Sequence, residues 1–314
     1  MSDSLKILTQ SIKAKAIELG FDLCGIAPVR ESCFKEQFRE WLEQGYAADM
    51  TYMKREPERR LNPSLVMPAT KSIVVVAKNY YTEVPENFPP DSARFARYAL
   101  NEDYHNVMKK PLQELLRFIE ENNDHKVTGK IYVDTGPLLE REIAQLAGIG
   151  WFGKNTMIIN TRKGSWFLLG ELLLDIELPP DTSAIGGCGT CTRCIDACPT
   201  GAIVRPYVVD SRKCISYLTI ENREEIPASL AERMGNRMFG CDICQEVCPF
   251  NIRHALPTKD PDFQPRPHIH NHKLTELAMI SDEEFRDLFR KSPVKRSKRK
   301  GLARNCAAAL LLRK

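Results

Sequence analysis

Residues 186–250 hold eight of the chain's eleven cysteines, and their spacing dictates what this segment folds around. Cys188-x-x-Cys191-x-x-Cys194-x-x-x-Cys198-Pro199 has the spacing of a bacterial ferredoxin run, in which three thiolates wrap one corner of a cubane and the fourth reaches the neighbouring cluster. Cys241-x-x-Cys244-x-x-x-Cys248-Pro249 repeats the pattern with its first cysteine replaced by Met238. The motifs supply seven of the eight ligands that two cubanes require, and Cys214, between them, is the spare cysteine of the segment. Crossed ligation then predicts one [4Fe–4S] cluster on Cys188, Cys191, Cys194 and Cys248, and a second on Cys198, Cys214, Cys241 and Cys244. Structural zinc is the competing reading. Zinc sites usually join a C-x₂-C pair to a distant second pair, a form this doubled triple repeat does not have. Cys24, Cys33 and Cys306 lack such context and read as small buried hydrophobes.

A cytosolic location is expected. The N-terminal Met-Ser-Asp-Ser-Leu-Lys shows no basic region leading into an apolar core, no twin-arginine leader is present, and no apolar run approaches the roughly 18 residues that would span a bilayer. In that compartment eleven cysteines are too many to be disulfides. Two crossed cubanes pass single electrons. A carrier would need little more than this segment, yet the chain has 314 residues, so electrons are expected to go to something held by the rest. No G-x-G-x-x-G follows an early strand and no Walker A motif occurs.

The pattern divides the chain into segments 1–180, 181–256 and 257–314. In the first, residues 4–19 have helical spacing and stop at Gly20. Strands are expected at 21–27, 72–78, 130–134, 156–160 and 165–174, and helices at 33–44 and 103–122. A further helix is expected to start at Pro137 after the turn Thr135-Gly136 and to end at Gly148. The continuous β-branched run Ser72-Ile-Val-Val-Val-Ala-Lys78 belongs to a strand buried on both faces. This alternation predicts an α/β layer. Four prolines between Pro257 and Pro267 predict a stiff linker, followed by a helix over 281–291 and another from Asn305 to the end. Between Leu288 and Arg304 lie eight Lys/Arg and no Asp or Glu; without them the chain has 37 basic and 41 acidic residues against 45 and 41 overall. The excess positive charge is therefore confined to one segment. Such runs are usually solvated surface, but this one is flanked by helical patterns.

Taken together, several stretches resemble the epoxyqueuosine reductase family. They are Tyr132-Val-Asp-Thr-Gly-Pro-Leu-Leu-Glu-Arg-Glu142, Gly148-Ile-Gly-Trp-Phe-Gly-Lys-Asn-Thr156, Tyr52-Met-Lys-Arg-Glu-Pro-Glu-Arg-Arg60, Ala96-Arg-Tyr-Ala99 with Asp103-Tyr-His105, Cys214-Ile-Ser-Tyr-Leu-Thr-Ile-Glu221, and Ser292-Pro293 near Gly301-Leu-Ala-Arg-Asn305. The resemblance covers essentially the whole chain. It implies a mixed α+β/α/β protein related to reductive dehalogenases: a nitroreductase-like cobalamin-binding domain, a ferredoxin-like two-cluster domain, and the start of a C-terminal helical-repeat domain. The implied reaction is reduction of epoxyqueuosine to queuosine at the wobble position of tRNA with a GUN anticodon. It uses two electrons from a flavodoxin- or ferredoxin-type donor and releases water.

Residue by residue, the resemblance makes Asp134 the proton donor, where position alone would favour a turn carboxylate hydrogen-bonded to local backbone. An acid at neutral pH needs a raised pKa, expected here from burial against the corrin. Arg97, Asp134, Lys154, Asn155, Ile158, Leu169 and Ser216 are implied cobalamin contacts. No Asp-x-His-x-x-Gly motif is present, so cobalt is expected to lack a protein imidazole. Tyr104 and His105 read equally as site residues or as helix-start packing. Lys295, Arg296, Lys298, Arg299 and Lys300 are expected to meet tRNA phosphates, which position a nucleic acid without reading its bases. The competing classes are a small-molecule dehalogenase and a non-catalytic electron carrier.

Overall fold

The computed structural model describes residues 3–84, 89–269 and 271–311. A four-stranded sheet runs in the order Leu23–Pro28, Ser72–Asn79, Phe167–Leu174, Gly129–Tyr132. Every neighbouring pair in it is antiparallel. The expected α/β layer is thus an antiparallel α+β layer. Periodicity reports how many faces of a strand are covered, not the direction of its neighbour. Along Ser72–Asn79, Ile73, Val75 and Ala77 enter one apolar cluster with Ile143 and Ala144 of the helix Glu140–Leu146. Val74 and Val76 enter another with Ile12, Leu112 and Leu115 of the helices Asp3–Glu18 and Tyr104–Glu121. Helices on both faces make the strand continuously apolar without parallel pairing.

The helix expected from Pro137 begins instead at Glu140. Asp134 turns into the left-handed region at φ 60° and Leu139 is non-helical, so Pro137 belongs to the loop that precedes the helix. The expected strand over 156–160 is reduced to Ile158–Ile159, paired with Trp151–Phe152.

The cluster segment is built of one-turn helices, Arg193–Asp196 and Ile243–Glu246, beside the ribbon Ile203–Arg205 and Val208–Val209. Gly240 turns the chain into Cys241 at φ +71°, with its α-carbon so close to Ala96 that an added Cβ would stand 2.6 Å from the alanine methyl. The proline-rich stretch does not hang free: Phe263 is fully buried in the first layer and Asp260 pairs with Lys78 at 2.5 Å. The C-terminal helices Leu274–Ala278, Asp282–Leu288 and Lys298–Leu311 share one apolar core with residues 215–239 and 93–100. Asn305, fully buried, donates to the carbonyls of Thr219 and Met238, both at 2.9 Å. The last helix starts at Lys298 rather than Asn305, which places half of the basic run on its first turns; residues 312–314 of the expected helix lie outside the described residues.

Candidate active site and cluster centres

By their mutual electrostatics the eight cysteines divide into two neighbourhoods of four, although among the described residues no three of them converge closely enough to hold a single metal ion. Cys194 senses the charges of Cys188, Cys191 and Cys248, and Cys248 those of Cys188 and Cys191. Cys214 senses Cys198, Cys241 senses Cys214, and Cys244 senses both Cys241 and Cys214. The first group lines one cavity, with Arg193 and Phe250 at its wall. Cys244 also senses the charge of Cys194, so the two groups are neighbours. Burial pushes the Cys241 thiol up to about 12 and that of Cys244 well above the ordinary thiol value, so these sulfurs become thiolates only against a cation. Backbone N–H groups already point at sulfur: Ala202 at Cys198 Sγ (3.3 Å) and Lys154 at Cys188 Sγ (3.4 Å). This donor set fits iron–sulfur clusters.

Lys154 and Asn155 stand at the joint between the sheet layer and the cluster segment. Lys154 Nζ donates to the carbonyls of Gly189 (2.7 Å) and Cys191 (3.0 Å), and Asn155 Nδ2 donates to that of Cys244 at 3.1 Å. Their side chains hold the cluster loops. Arg97 is engaged in the same way. Its guanidinium meets Glu246 at 2.6 Å and Asp242 at 3.2 Å, donates to the Thr82 carbonyl at 3.1 Å, and lies over the Trp166 ring at 4.9 Å. A surface cation would have none of these contacts.

Asp134 leaves the end of the strand Gly129–Tyr132 with a side chain 61% exposed. Aspartate is one of the few side chains that tolerate the left-handed backbone found here. Its Oδ2 lies 3.4 Å from His105 Nε2, and the Tyr104 hydroxyl also donates to it. His105 Nδ1 is 2.7 Å from Asp103, the N-cap of the helix Tyr104–Glu121, and the imidazole stacks on the Tyr104 ring at 4.1 Å. Helix start and strand end thus deliver one acid–base group. Desolvation raises the Asp134 carboxyl, but hydrogen bonds from His105 and Tyr104 and the charges of His105 and Arg141 outweigh it and hold it below the ordinary carboxylate value. The expected upward shift is reversed because the carboxyl has cationic and hydrogen-bonding partners that together exceed its desolvation. Desolvation lowers His105, but the hydrogen bonds and charges of Asp103 and Asp134 prevail and lift it to about 9. The proton of this pair therefore resides on the imidazole at neutral pH.

That shift has a consequence for stability. A histidine whose folded pKa exceeds its unfolded value contributes fully below about 6.5, and the contribution disappears as pH rises through about 9. The melting temperature of His105→Gln should therefore lie below that of the parent at pH 6 and converge on it by pH 10. A difference that stays constant across this range would remove the imidazolium from the account.

Tyr132 pairs with Glu171 across the sheet, so two residues further on Asp134 and Leu169 leave the ladder at the same end. Leu169 joins Ile158, Phe152, Phe167 and Tyr132 in an apolar wall, half-buried except for Ile158, which is buried. Ser216 is half-buried, with its hydroxyl bonded to the Cys214 thiol. An apolar wall, an exposed acid at its end and a hydroxyl bonded to a cluster cysteine fit a large flat cofactor with an apolar face.

The basic run divides. Arg296 grips Glu221 at 2.9 and 3.0 Å, and Arg299 pairs with Asp282 at 2.9 Å. Lys295, Lys298 and Lys300 are exposed, with no ion pair among the described residues. Sequence reasoning did not assign five residues around Asp134. Arg60 and Arg296 both cover the Tyr52 ring at 5.9 Å, and Arg60, Arg141 and Arg296 all sense the Asp134 charge. Glu140 and Glu171 lie behind it. Tyr52, Arg60, Glu140 and Arg141 fall inside stretches that carry the family resemblance, which was the signal available for them.

Two neighbouring four-cysteine groups, with an acid–base group at the end of an adjoining antiparallel sheet, define an iron–sulfur oxidoreductase. A family model described as a 4Fe-4S double cluster binding domain matches residues 187–251, and one described as Epoxyqueuosine reductase QueG, DUF1730, matches residues 60–135. The epoxyqueuosine reductase of Pseudomonas aeruginosa is 42% identical over 308 residues, 96% of this chain and 85% of that protein. The Escherichia coli one is 40% identical over 319 residues, 99% and 83%. Among solved structures, an epoxyqueuosine reductase with an epoxyqueuosine-modified tRNA-Tyr stem loop superposes with a TM-score of 0.90 at 32% identity, covering 98% of this chain and 81% of that one. The Bacillus subtilis enzyme with its Asp134 catalytic loop swung out of the active site superposes with a TM-score of 0.90 at 31% identity, covering 98% and 82%. The chain belongs to the epoxyqueuosine reductase family. Among the described residues no helix is long and apolar enough to cross a membrane.

Proposed function

We propose that this protein reduces epoxyqueuosine to queuosine at the wobble position of tRNA with a GUN anticodon, using two [4Fe–4S] clusters and cobalamin. The observation that carries the reading is the meeting of Asp134, His105 and Tyr104 at the sheet end that adjoins the two cysteine groups. The sheet layer is then a nitroreductase-like cobalamin domain (1–180), the second segment (181–256) the cluster domain, and the third (257–314) a tRNA-facing helical segment. The first cluster is held by Cys188, Cys191, Cys194 and Cys248 and the second by Cys198, Cys214, Cys241 and Cys244. Electrons enter from a low-potential flavodoxin or ferredoxin and cross between the two neighbouring cysteine groups, Cys244 lying within the electrostatic reach of Cys194. Substrate and donor are both cytosolic, and the enzyme is cytosolic with them.

The chain's own residues divide the remaining work. Leu169 and Ile158 offer the corrin an apolar wall, and Ser216 links that site to Cys214. Lys154, Asn155 and Arg97 keep the cluster segment seated against the sheet. When bound and reduced, cobalamin supplies a nucleophilic cobalt able to open an epoxide. Opening leaves an alkoxide that departs as water only after protonation, and Asp134, bonded to the His105 imidazolium, delivers the proton. The base must leave the anticodon stack to reach this point. Arg60 and Arg141 around Asp134 suit the flanking phosphates.

Incubation of epoxyqueuosine-tRNA with the cobalamin-loaded protein and a low-potential reductant should convert the epoxide nucleoside to queuosine in a nucleoside digest; an unchanged digest would refute the reading. Replacing Lys295, Lys298 and Lys300 together by glutamine should raise KM for tRNA. It should also flatten the salt dependence of binding by about 0.7–0.9 for each phosphate that the lysines no longer neutralise. Iron content should not change. Parental affinity across a salt series would show the three lysines to be solvated surface only.

A further inference from the structure

The reaction proposed above consumes two protons at one oxygen, one to open the ring and one to release water. The imidazolium of His105 accounts for one. A second group of acids lies immediately behind Asp134. Glu171 is fully buried in the strand Phe167–Leu174, across from Tyr132 and Val75, on the face covered by the helix Glu140–Leu146. Among the described residues no donor reaches either of its carboxyl oxygens, nor Oε1 of Glu140. What faces Glu171 is the Glu140 carboxyl itself. Glu140 in turn receives the backbone N–H of Asp134. The line therefore runs Glu171, Glu140, Asp134.

Two carboxyls that face each other in the interior cannot both be ionised. One O–H must lie between them, as in any close carboxylate pair removed from water. We propose that Glu140 and Glu171 are a buried proton store for Asp134: Glu140, bonded to the Asp134 backbone, passes its proton to the Asp134 carboxylate after that group has protonated the substrate oxygen. In this step one O–H bond breaks at Glu140 and one forms at Asp134. No electrons move, and the Glu140 carboxylate is refilled from solvent before the next turnover. The proposal rests on the reductase reading above. The charged and titratable groups facing the pair are Asp134, Arg141, Arg60 and Tyr104. The two arginines, the Asp134 backbone N–H and the hydrogen bond from Glu171 oppose proton retention on Glu140. Desolvation and the Asp134 charge prevail, holding Glu140 at about 8 and Glu171 well above the ordinary carboxylate value. The store is thus filled at neutral pH and empties as pH rises through about 8.

Two measurements on the full chain test this. The first is an infrared pH titration of the parent protein, which needs neither substrate nor cobalamin. A protonated-carboxyl band present at pH 7 should fade as pH rises past about 8 and should be diminished in Glu171→Gln. Absence of such a band at pH 7 would overturn the proposal, whatever the fate of the reductase reading. The second is the pH dependence of kcat on epoxyqueuosine-tRNA. Glutamine at position 140 keeps the size of the side chain but carries no proton for Asp134. In Glu140→Gln kcat at pH 7.5 should drop about tenfold, within the range of a proton-transfer contribution, and the loss of rate that the parent shows as pH rises past about 8 should disappear, with KM for tRNA unchanged. A profile superposable on that of the parent would make the pair purely structural. If Glu140→Gln does not fold, the infrared titration of the parent stands by itself.

Discussion

Changing Cys214 to serine should remove one cluster and spare the other: iron should fall from about eight to about four atoms per chain. Turnover on epoxyqueuosine-tRNA should vanish, because the spared cluster on Cys188, Cys191, Cys194 and Cys248 is not the one that carries Ser216 beside it. The fold should persist. Cys214 is the N-cap of the helix Ile215–Ile220, at φ −72° and ψ 125°, and serine is among the best residues for that position. Electron paramagnetic resonance of the reduced variant should show a single cluster without the coupling expected of two close neighbours. Unchanged iron and an unchanged spectrum would take Cys214 off the ligand set, and with it the crossed ligation.

Asp134→Asn should leave both clusters, cobalamin binding and tRNA binding in place while turnover falls by about 10²–10⁴-fold, the range of a positioned general acid. Asparagine tolerates the left-handed backbone at this position as well as aspartate does, so the loop has no reason to move. It can accept from Tyr104 but cannot carry a proton. Without its carboxylate partner His105 should titrate lower than about 9, which nuclear magnetic resonance of the imidazole would register. Near-normal turnover would shift the acid to His105, the other end of the same hydrogen bond.

These predictions rest on features that were unequally legible in the sequence. The presence of a double-cluster segment could be read almost completely. Short spacings of two and three residues fix which sulfurs a local turn can present, and a count of eight left Cys214 no other use. Helix ends at Gly20 and Gly45 were legible for a similar reason, since both glycines adopt positive φ at 90° and 70°. The start of the helix at Glu140 was not, because Asp134 adopts a left-handed backbone and Leu139 a non-helical one, neither of which the Thr135-Gly136-Pro137 turn signals.

Where a residue's partner is remote in the chain, sequence pattern is silent. Arg97 is implied as a cobalamin contact by the resemblance, and only the fold shows its guanidinium held by Asp242 and Glu246 instead. Arg296 and Arg299 read as phosphate ligands until Glu221 and Asp282 neutralise them, leaving Lys295, Lys298 and Lys300. Glu171 gave no signal, since a lone glutamate in an apolar strand resembles a solvent-facing residue until a second helix closes over it and brings Glu140 against it. The sequence by itself determined that the chain carries a double-cluster segment, because cysteine spacing and thiol chemistry are local properties. The tertiary structure alone decided the direction of the sheet strands and where the protons are held, because strand pairing and pKa values are set by groups that meet only after the chain has folded.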